Sequence, residues 1–142
     1  MKSNILVTIQ FLAFGYLGLT SLNHEVSAAS VILMLVGVFI GLWAIISMQA
    51  TRFSIKPDVQ KDAILITDGP YNYIRHPMYA GLLVFATGLL AIDNSPFRLV
   101  VFLILLANQI YKMEYEEQLL EQHFPEYIEY TQKTARLLPP FY

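Results

Sequence analysis

The stretch from Asn4 to Leu22 carries no charged side chain, and neither does the stretch from Ser30 to Ala50. A helix needs roughly 20 mostly apolar residues to cross a hydrocarbon core about 30 Å thick, and both runs meet that length. Backbone polar groups in lipid must be satisfied internally, so such runs fold as spanning helices. Composition agrees: 56% of the 142 residues are hydrophobic and 14% are charged. A soluble domain is about half apolar and about a quarter charged. Here the excess is gathered into blocks. A secretory signal peptide is the rival reading of the first block, with Lys2 before it and Val26-Ser27-Ala28 loosely resembling a cleavage site. The apolar run is too long for a signal core.

A third apolar run, Pro77 to Ile92, would reach about 24 Å as a helix, short for a full crossing. Asp93-Asn94-Ser95-Pro96 reads as a compact turn, since Asp, Asn and Ser favour turns and Pro96 suits a first helical turn. The fourth run, Pro96 to Met113, completes the hairpin. The expected fold is all-α: an integral membrane protein with about four transmembrane helices, the last two a short helical hairpin. A cytoplasmic amphipathic C-terminal helix follows. One domain covers residues 1–142, with spans near 4–22, 30–50, 77–92 and 96–113, a loop at 51–76 and a tail at 114–142.

Basic residues orient it. Arg52, Lys56, Lys61 and Arg75 lie between the second and third runs, and Lys112, Lys133 and Arg136 follow or end the fourth. The other turns offer only Arg98, beside His24, Glu25 and Asp93. The positive-inside rule then puts both termini and the central loop in the cytoplasm. Within that loop Ala63-Ile64-Leu65-Ile66 reads as extended and Asp68-Gly69-Pro70 as a turn. In the second run Gly37 and Gly41 form a GxxxG spacing, which we read as packing within the chain rather than a dimer interface.

Two polar clusters border the lipid. In Gly69-Pro70-Tyr71-Asn72-Tyr73-Ile74-Arg75-His76-Pro77-Met78-Tyr79-Ala80-Gly81, Pro77 belongs at the first position of a helix and pushes His76 out of helical dihedrals. The helix start attracts anions through its unpaired N–H groups. Arg75 and His76 add donors beside it, and Tyr79 adds a hydroxyl one turn in. Gly81 leaves room for a neighbour or a ligand. Tyr71 and Tyr73 read equally well as interfacial anchors. Farther on, Leu103, Leu106, Ile110, Met113, Leu120 and Phe124 recur at helical spacing with one gap, filled by Glu117. The pattern turns Glu117 toward the protein and Glu116 and Glu121 elsewhere. A carboxylate so placed is a functional candidate; a structural ion pair with Arg75 or Lys112 is the alternative. A ligand with an anionic end and hydroxyl or ammonium groups would bridge the helix start and the glutamates. A metal is not expected, because His24, His76 and His123 have no ligand spacing with them, and cysteine is absent. No basic-aromatic surface suggests nucleic acid.

Gly69-Pro70-Tyr71, Arg75-His76-Pro77-Met78-Tyr79-Ala80-Gly81, Glu116-Glu117-Gln118-Leu119-Leu120, His123-Phe124-Pro125-Glu126-Tyr127-Ile128-Glu129-Tyr130 and Leu138-Pro139 occur in this order. The wording resembles the isoprenylcysteine carboxyl methyltransferase and phospholipid methyltransferase superfamily, over about Arg52 to Pro139. The resemblance implies an integral membrane enzyme that uses S-adenosylmethionine. It implies that His76 and Tyr79 help hold the methionine end of the cofactor, that Glu117 with Glu116 contacts its polar groups, and that the C-terminal segment covers the adenosine. Tyr127, Tyr130 and Lys133 fall in the tail pattern that lines the pocket. The expected cofactor-binding residues are Tyr71, His76, Pro77, Tyr79, Gly81, Glu116, Glu117, Tyr127 and Tyr130; the expected catalytic residues are Arg75, Glu116 and Lys133. The chain departs from the family at Lys112 and Glu114, where an arginine often precedes the glutamates, at Pro125, where glycine is usual, and at Lys133, where arginine is frequent. Lysine does not replace a bidentate arginine.

The function implied is methyl transfer to a lipophilic or small acceptor taken from the bilayer, with prenylated cysteine carboxylate, phospholipid amine and small thiol all compatible. Two alternatives stand beside it: an NADPH-dependent membrane reductase of related fold, and a non-catalytic lipid-binding or scaffold protein.

Overall fold

The computed structural model describes residues 2–48 and 64–139, and all the elements in it are helical. Helix α1 spans Lys2–Ser21 and α2 spans Ala28–Ser47. A 3-10 turn at Gly69–Asn72 leads into α3, Pro77–Leu90, then α4, Pro96–His123, and α5, Tyr127–Lys133. Arg52, Lys56, Lys61 and Ala63, on which part of the orientation and the extended piece rested, lie outside the described residues.

The boundaries follow from local chemistry. Ser27 caps α2 by accepting a hydrogen bond from Ser30 N at 3.1 Å. Pro77 and Pro96 sit in the first turns of α3 and α4, where a missing N–H costs nothing. His76, held by Pro77, has φ −124° and ψ 57°, outside the helical region. Helices α1, α2 and α4 are long and apolar enough to cross a membrane; α3 is apolar but has only 14 residues.

Helix α4 does not end at Met113. It runs unbroken for 28 residues, about 42 Å, longer than the hydrocarbon core. The amphipathic stretch expected as a separate helix is therefore its final turns, and only α5 is distinct. Its buried face also differs from the expected stripe. Leu103 is exposed, whereas Leu105, Asn108, Gln109, Lys112, Met113 and Glu117 are buried. Lipid is as apolar as leucine, so apolar side chains gain nothing by turning inward and polar ones do.

Helices α2 and α3 run antiparallel in close contact. A Cβ on Gly37 would lie 2.6 Å from Phe85 N, and one on Gly81 would lie 2.8 Å from both Gly37 O and Gly41 N. Gly37 and Gly81 thus serve packing within the chain, while Gly41 offers its backbone to Gly81 although a Cβ of its own would meet nothing within 4 Å. Helix α4 packs against α1 around Ala13, Ala86 and Leu105. Arg98, read as a loop charge, is instead 1% exposed. It donates to Leu17 O at 3.1 Å, Ser21 Oγ at 3.0 Å and Asp93 O at 2.9 Å, and also to Leu89 O and Thr20 Oγ1. This clamp closes one end of the bundle. The polar clusters meet at the other.

Candidate active site

The tail of the chain returns along the segment before α3. Ala135 N donates to Tyr73 O at 3.1 Å, Arg75 N to Ala135 O at 2.8 Å and His76 N to Arg136 O at 3.1 Å. Ile74 and Ala135 form a parallel bridge. Arg75 reinforces it by donating through Nη1 to Thr131 O at 3.3 Å and to Thr134 O, which occupies carbonyls left open at the end of α5. The Arg75-His76 dipeptide is thereby fixed between α4 and the tail.

Glu117 is the centre of the cluster. Its Oε1 accepts from Arg75 Nε at 2.8 Å and lies 3.2 Å from His76 Nε2; its Oε2 accepts from Arg136 Nε at 2.8 Å, with Nη2 at 2.6 Å. Glu117 and His76 are both buried. Such charge-assisted bonds are short and stronger than neutral ones. Both readings of Glu117 therefore share one geometry: it pairs with Arg75, as the structural alternative requires, inside the cluster that the functional one describes.

Glu116 does not point elsewhere. It accepts from Tyr79 Oη at 2.8 Å, lies 3.9 Å from His76 Nδ1, and keeps a quarter of its side chain exposed. The His76 ring thus stands between two carboxylates, 5.4 Å from the Tyr79 ring.

The tail supplies two phenols, Tyr127 and Tyr130, and the turn before α3 a third, Tyr71. Tyr130 Oη donates to Tyr71 O at 2.5 Å. Tyr71 and Tyr127 are buried, and their hydroxyls have no hydrogen-bond partner among the described residues. Burial first, then the nearby charge of Glu116, holds the Tyr71 hydroxyl well above the ordinary phenol range; burial and then Glu117 do the same for Tyr127. Tyr130 is pushed up to about 12, mainly by burial. All three are protonated donors at neutral pH. A buried hydroxyl without a partner costs on the order of 1–3 kcal/mol, so these two leave donors for an ordered water or a polar ligand.

Arg75, His76, Tyr79, Glu116 and Glu117 are thus brought together, with Tyr71, Tyr127 and Tyr130 around them. Pro77 and Gly81 contribute through the backbone, as helix start and helix contact. Lys133 is not brought in: its side chain is exposed and bonded to Glu129 one turn away. A second guanidinium joins that of Arg75 in the cluster, from Arg136, which the sequence reading missed as a site residue. Its signal was modest, a lone arginine before Leu137-Leu138-Pro139. Lys112 on α4, considered above as an ion-pair partner of Glu117, has its Nζ 2.7 Å from Oε1 of Gln10 on α1, a buried polar residue that went unassigned.

Residues 26–127 match the sequence profile described as phospholipid methyltransferase. The chain is 32% identical over 117 residues to the probable protein-S-isoprenylcysteine O-methyltransferase of Oryza sativa subsp. indica, covering 80% of this chain and 61% of the relative. It is 31% identical over 117 residues to protein-S-isoprenylcysteine O-methyltransferase A of Arabidopsis thaliana, covering 80% and 59%. To the protein-S-isoprenylcysteine O-methyltransferase of Saccharomyces cerevisiae it is 32% identical over 87 residues, 60% and 36% of the two chains. The chain spans about three fifths of the length of the plant relatives.

Proposed function

The chain belongs to the phospholipid methyltransferase family, and on that premise we propose that it is a methyltransferase using S-adenosylmethionine and a lipophilic or small acceptor. With several helices long and apolar enough to cross a bilayer, it is a multi-pass membrane protein. Both termini and the site lie on the cytoplasmic side in this reading. Arg75, Lys133 and Arg136 are at that end, while Arg98 at the other is consumed inside the fold.

The observation that carries the cofactor assignment is the pair of buried hydroxyls on Tyr71 and Tyr127 beside the two carboxylates. S-adenosylmethionine presents an ammonium, a sulfonium and a carboxylate together with ribose hydroxyls. The cluster offers carboxylates for the cations, guanidinium for the anion, and phenol donors for the rest, so the residues fit the group. His76, Tyr79, Glu116 and Glu117 would hold the amino-acid end, and Tyr71 and Tyr127 the polar edge of the nucleoside. When bound, the cofactor supplies an electrophilic methyl group.

The protein's own contribution is alignment, which can lower a barrier by about 7–11 kcal/mol when two reactants are held in order. Arg75 and Arg136 lock Glu117 from two sides, so the carboxylate cannot rotate. Tyr79 fixes Glu116 on the side facing the membrane. Glu116 is the group we assign to receive a proton from a thiol or amine acceptor; a carboxylate acceptor needs none. Melting shifts of the purified protein with S-adenosylmethionine, S-adenosylhomocysteine and NADPH test the cofactor. Stabilisation by the first two alone supports the reading, and stabilisation by NADPH alone overturns it. Transfer of labelled methyl into a fractionated lipid and thiol extract then identifies the acceptor.

A further inference from the structure

A second polar group lies apart from the Glu117 cluster, on the membrane side of Tyr79. Between α1, α2 and α3, with α4 behind, is a cavity of about 420 Å³ whose wall is largely apolar, with Val38, Leu42, Ile45, Leu82 and Phe85 among its lining. Gln10, Tyr79 and Lys112 also line it. Lys112 is 1% exposed, lies 2.7 Å from Gln10 Oε1, and sits 5.1 Å from the centre of the Tyr79 ring.

We propose that this cavity binds an amphiphile with one apolar chain and an anionic head, the head held by Lys112 with Gln10 and Tyr79. The apolar wall suits a hydrocarbon chain. Its volume falls in the lower part of the roughly 300–1,000 Å³ range of small-molecule sites, which favours one chain over two. An ammonium within a membrane-spanning helix is costly and is a functional-site candidate by default. Its charge attracts a carboxylate or phosphate and repels an ammonium head. The Tyr79 hydroxyl, bonded to Glu116, is the wall between this cavity and the cluster, so a head at Lys112 lies one side chain from the carboxylate pair. Naming the occupant as the methyl acceptor rests on the methyltransferase reading; the binding site itself does not.

Native mass spectrometry of the intact protein released from neutral detergent tests it without cofactor. The probes are dodecanoate, dodecyl phosphate, dodecanol and dodecylammonium, each in equal amount. The site requires the two anions to be retained over dodecanol and dodecylammonium. Lys112→Met should lower anion retention about tenfold, the size of one charge-assisted bond, and leave dodecanol unchanged, while Lys112→Arg keeps the preference. Should Lys112→Met not fold, Gln10→Leu serves, and it should weaken the anion preference. Equal retention of anion and ammonium by the wild type, or an unchanged preference in these variants, overturns the proposal. Preference for dodecanoate over dodecyl phosphate, or the reverse, tells which anion the site takes. A parallel titration with S-adenosylmethionine separates the two readings, since anion retention without cofactor binding would leave this site standing and remove the methyltransferase assignment.

Discussion

Arg75 and Glu117 stand 42 residues apart in the sequence and meet Nε to Oε1 at 2.8 Å, each with no more than a tenth of its side chain exposed. That contact ties the entry of α3 to the lower turns of α4. Through Thr131 and Thr134 it also ties both to the end of α5. One ion pair thus organises three separate segments of chain.

Glu117→Gln should be destabilising as well as inactivating. The amide keeps the shape, but it leaves Arg75, His76 and Arg136 facing a neutral group in a buried place. Breaking such a pair costs about 3–5 kcal/mol. A melting curve should show the loss, and calorimetric titration should show S-adenosylmethionine affinity sharply reduced. Unchanged affinity would remove Glu117 from the proposed site.

Arg98→Leu should lower stability without touching the site. The side chain donates to the carbonyls of Leu17, Leu89 and Asp93 and to two hydroxyls, at the C-terminal ends of α1 and α3 where partial negative charge collects. Losing these bonds should cost about 3 kcal/mol. Cofactor affinity of the remaining folded protein should stay at the wild-type value, because the clamp is at the far end of the bundle.

The two glycines of α2 should behave oppositely. At Gly37 a methyl group would strike the backbone of Phe85 and Gly81, which cannot rotate away; at Gly41 it would meet nothing within 4 Å. Gly37→Ala should therefore cost about 1–3 kcal/mol, while Gly41→Ala should be neutral or slightly stabilising. Melting temperatures of the two variants decide it.

What could be read from the sequence was what lipid and backbone geometry dictate locally. Pro77 and Pro96 announce helix starts because the missing N–H suits no interior position. Glu117 stood out because it interrupts an apolar series. The upper part of that series misled, since Leu103 faces outward and Asn108, Gln109 and Lys112 face inward. A rule learned from helices in water inverts in lipid. Arg98 looked like a loop charge because its five acceptors come from α1, α3 and the turn, which no local window contains. Lys133 was named from the family's tail pattern, and Arg136, three positions on, was passed over. Only the return of the tail along residues 73–76 turns Arg136 to Glu117 while Lys133 faces outward.

Lys133→Ala and Arg136→Ala separate those two residues. Lys133 has an exposed, solvent-screened pair with Glu129, so methyl transfer by Lys133→Ala should stay within about twofold of wild type. Arg136→Ala removes both bonds to Glu117 Oε2 and should reduce activity by at least about tenfold. Equal loss in both would return Lys133 to the site.

The phenols distinguish a ligand site from a structural knot. Tyr130 already uses its hydroxyl on Tyr71 O, so Tyr130→Phe should destabilise the ligand-free protein by about 1 kcal/mol. Tyr71 and Tyr127 hold buried hydroxyls with no partner among the described residues. Removing such a group relieves an unmet desolvation cost, so Tyr71→Phe and Tyr127→Phe should leave the ligand-free melting temperature unchanged or raise it. If these hydroxyls donate to the cofactor, each variant should also lose about tenfold in S-adenosylmethionine affinity. Stability and affinity would then move in opposite directions, a combination that packing alone does not produce. A fall in melting temperature with unchanged affinity would place both hydroxyls in the fold rather than in the site.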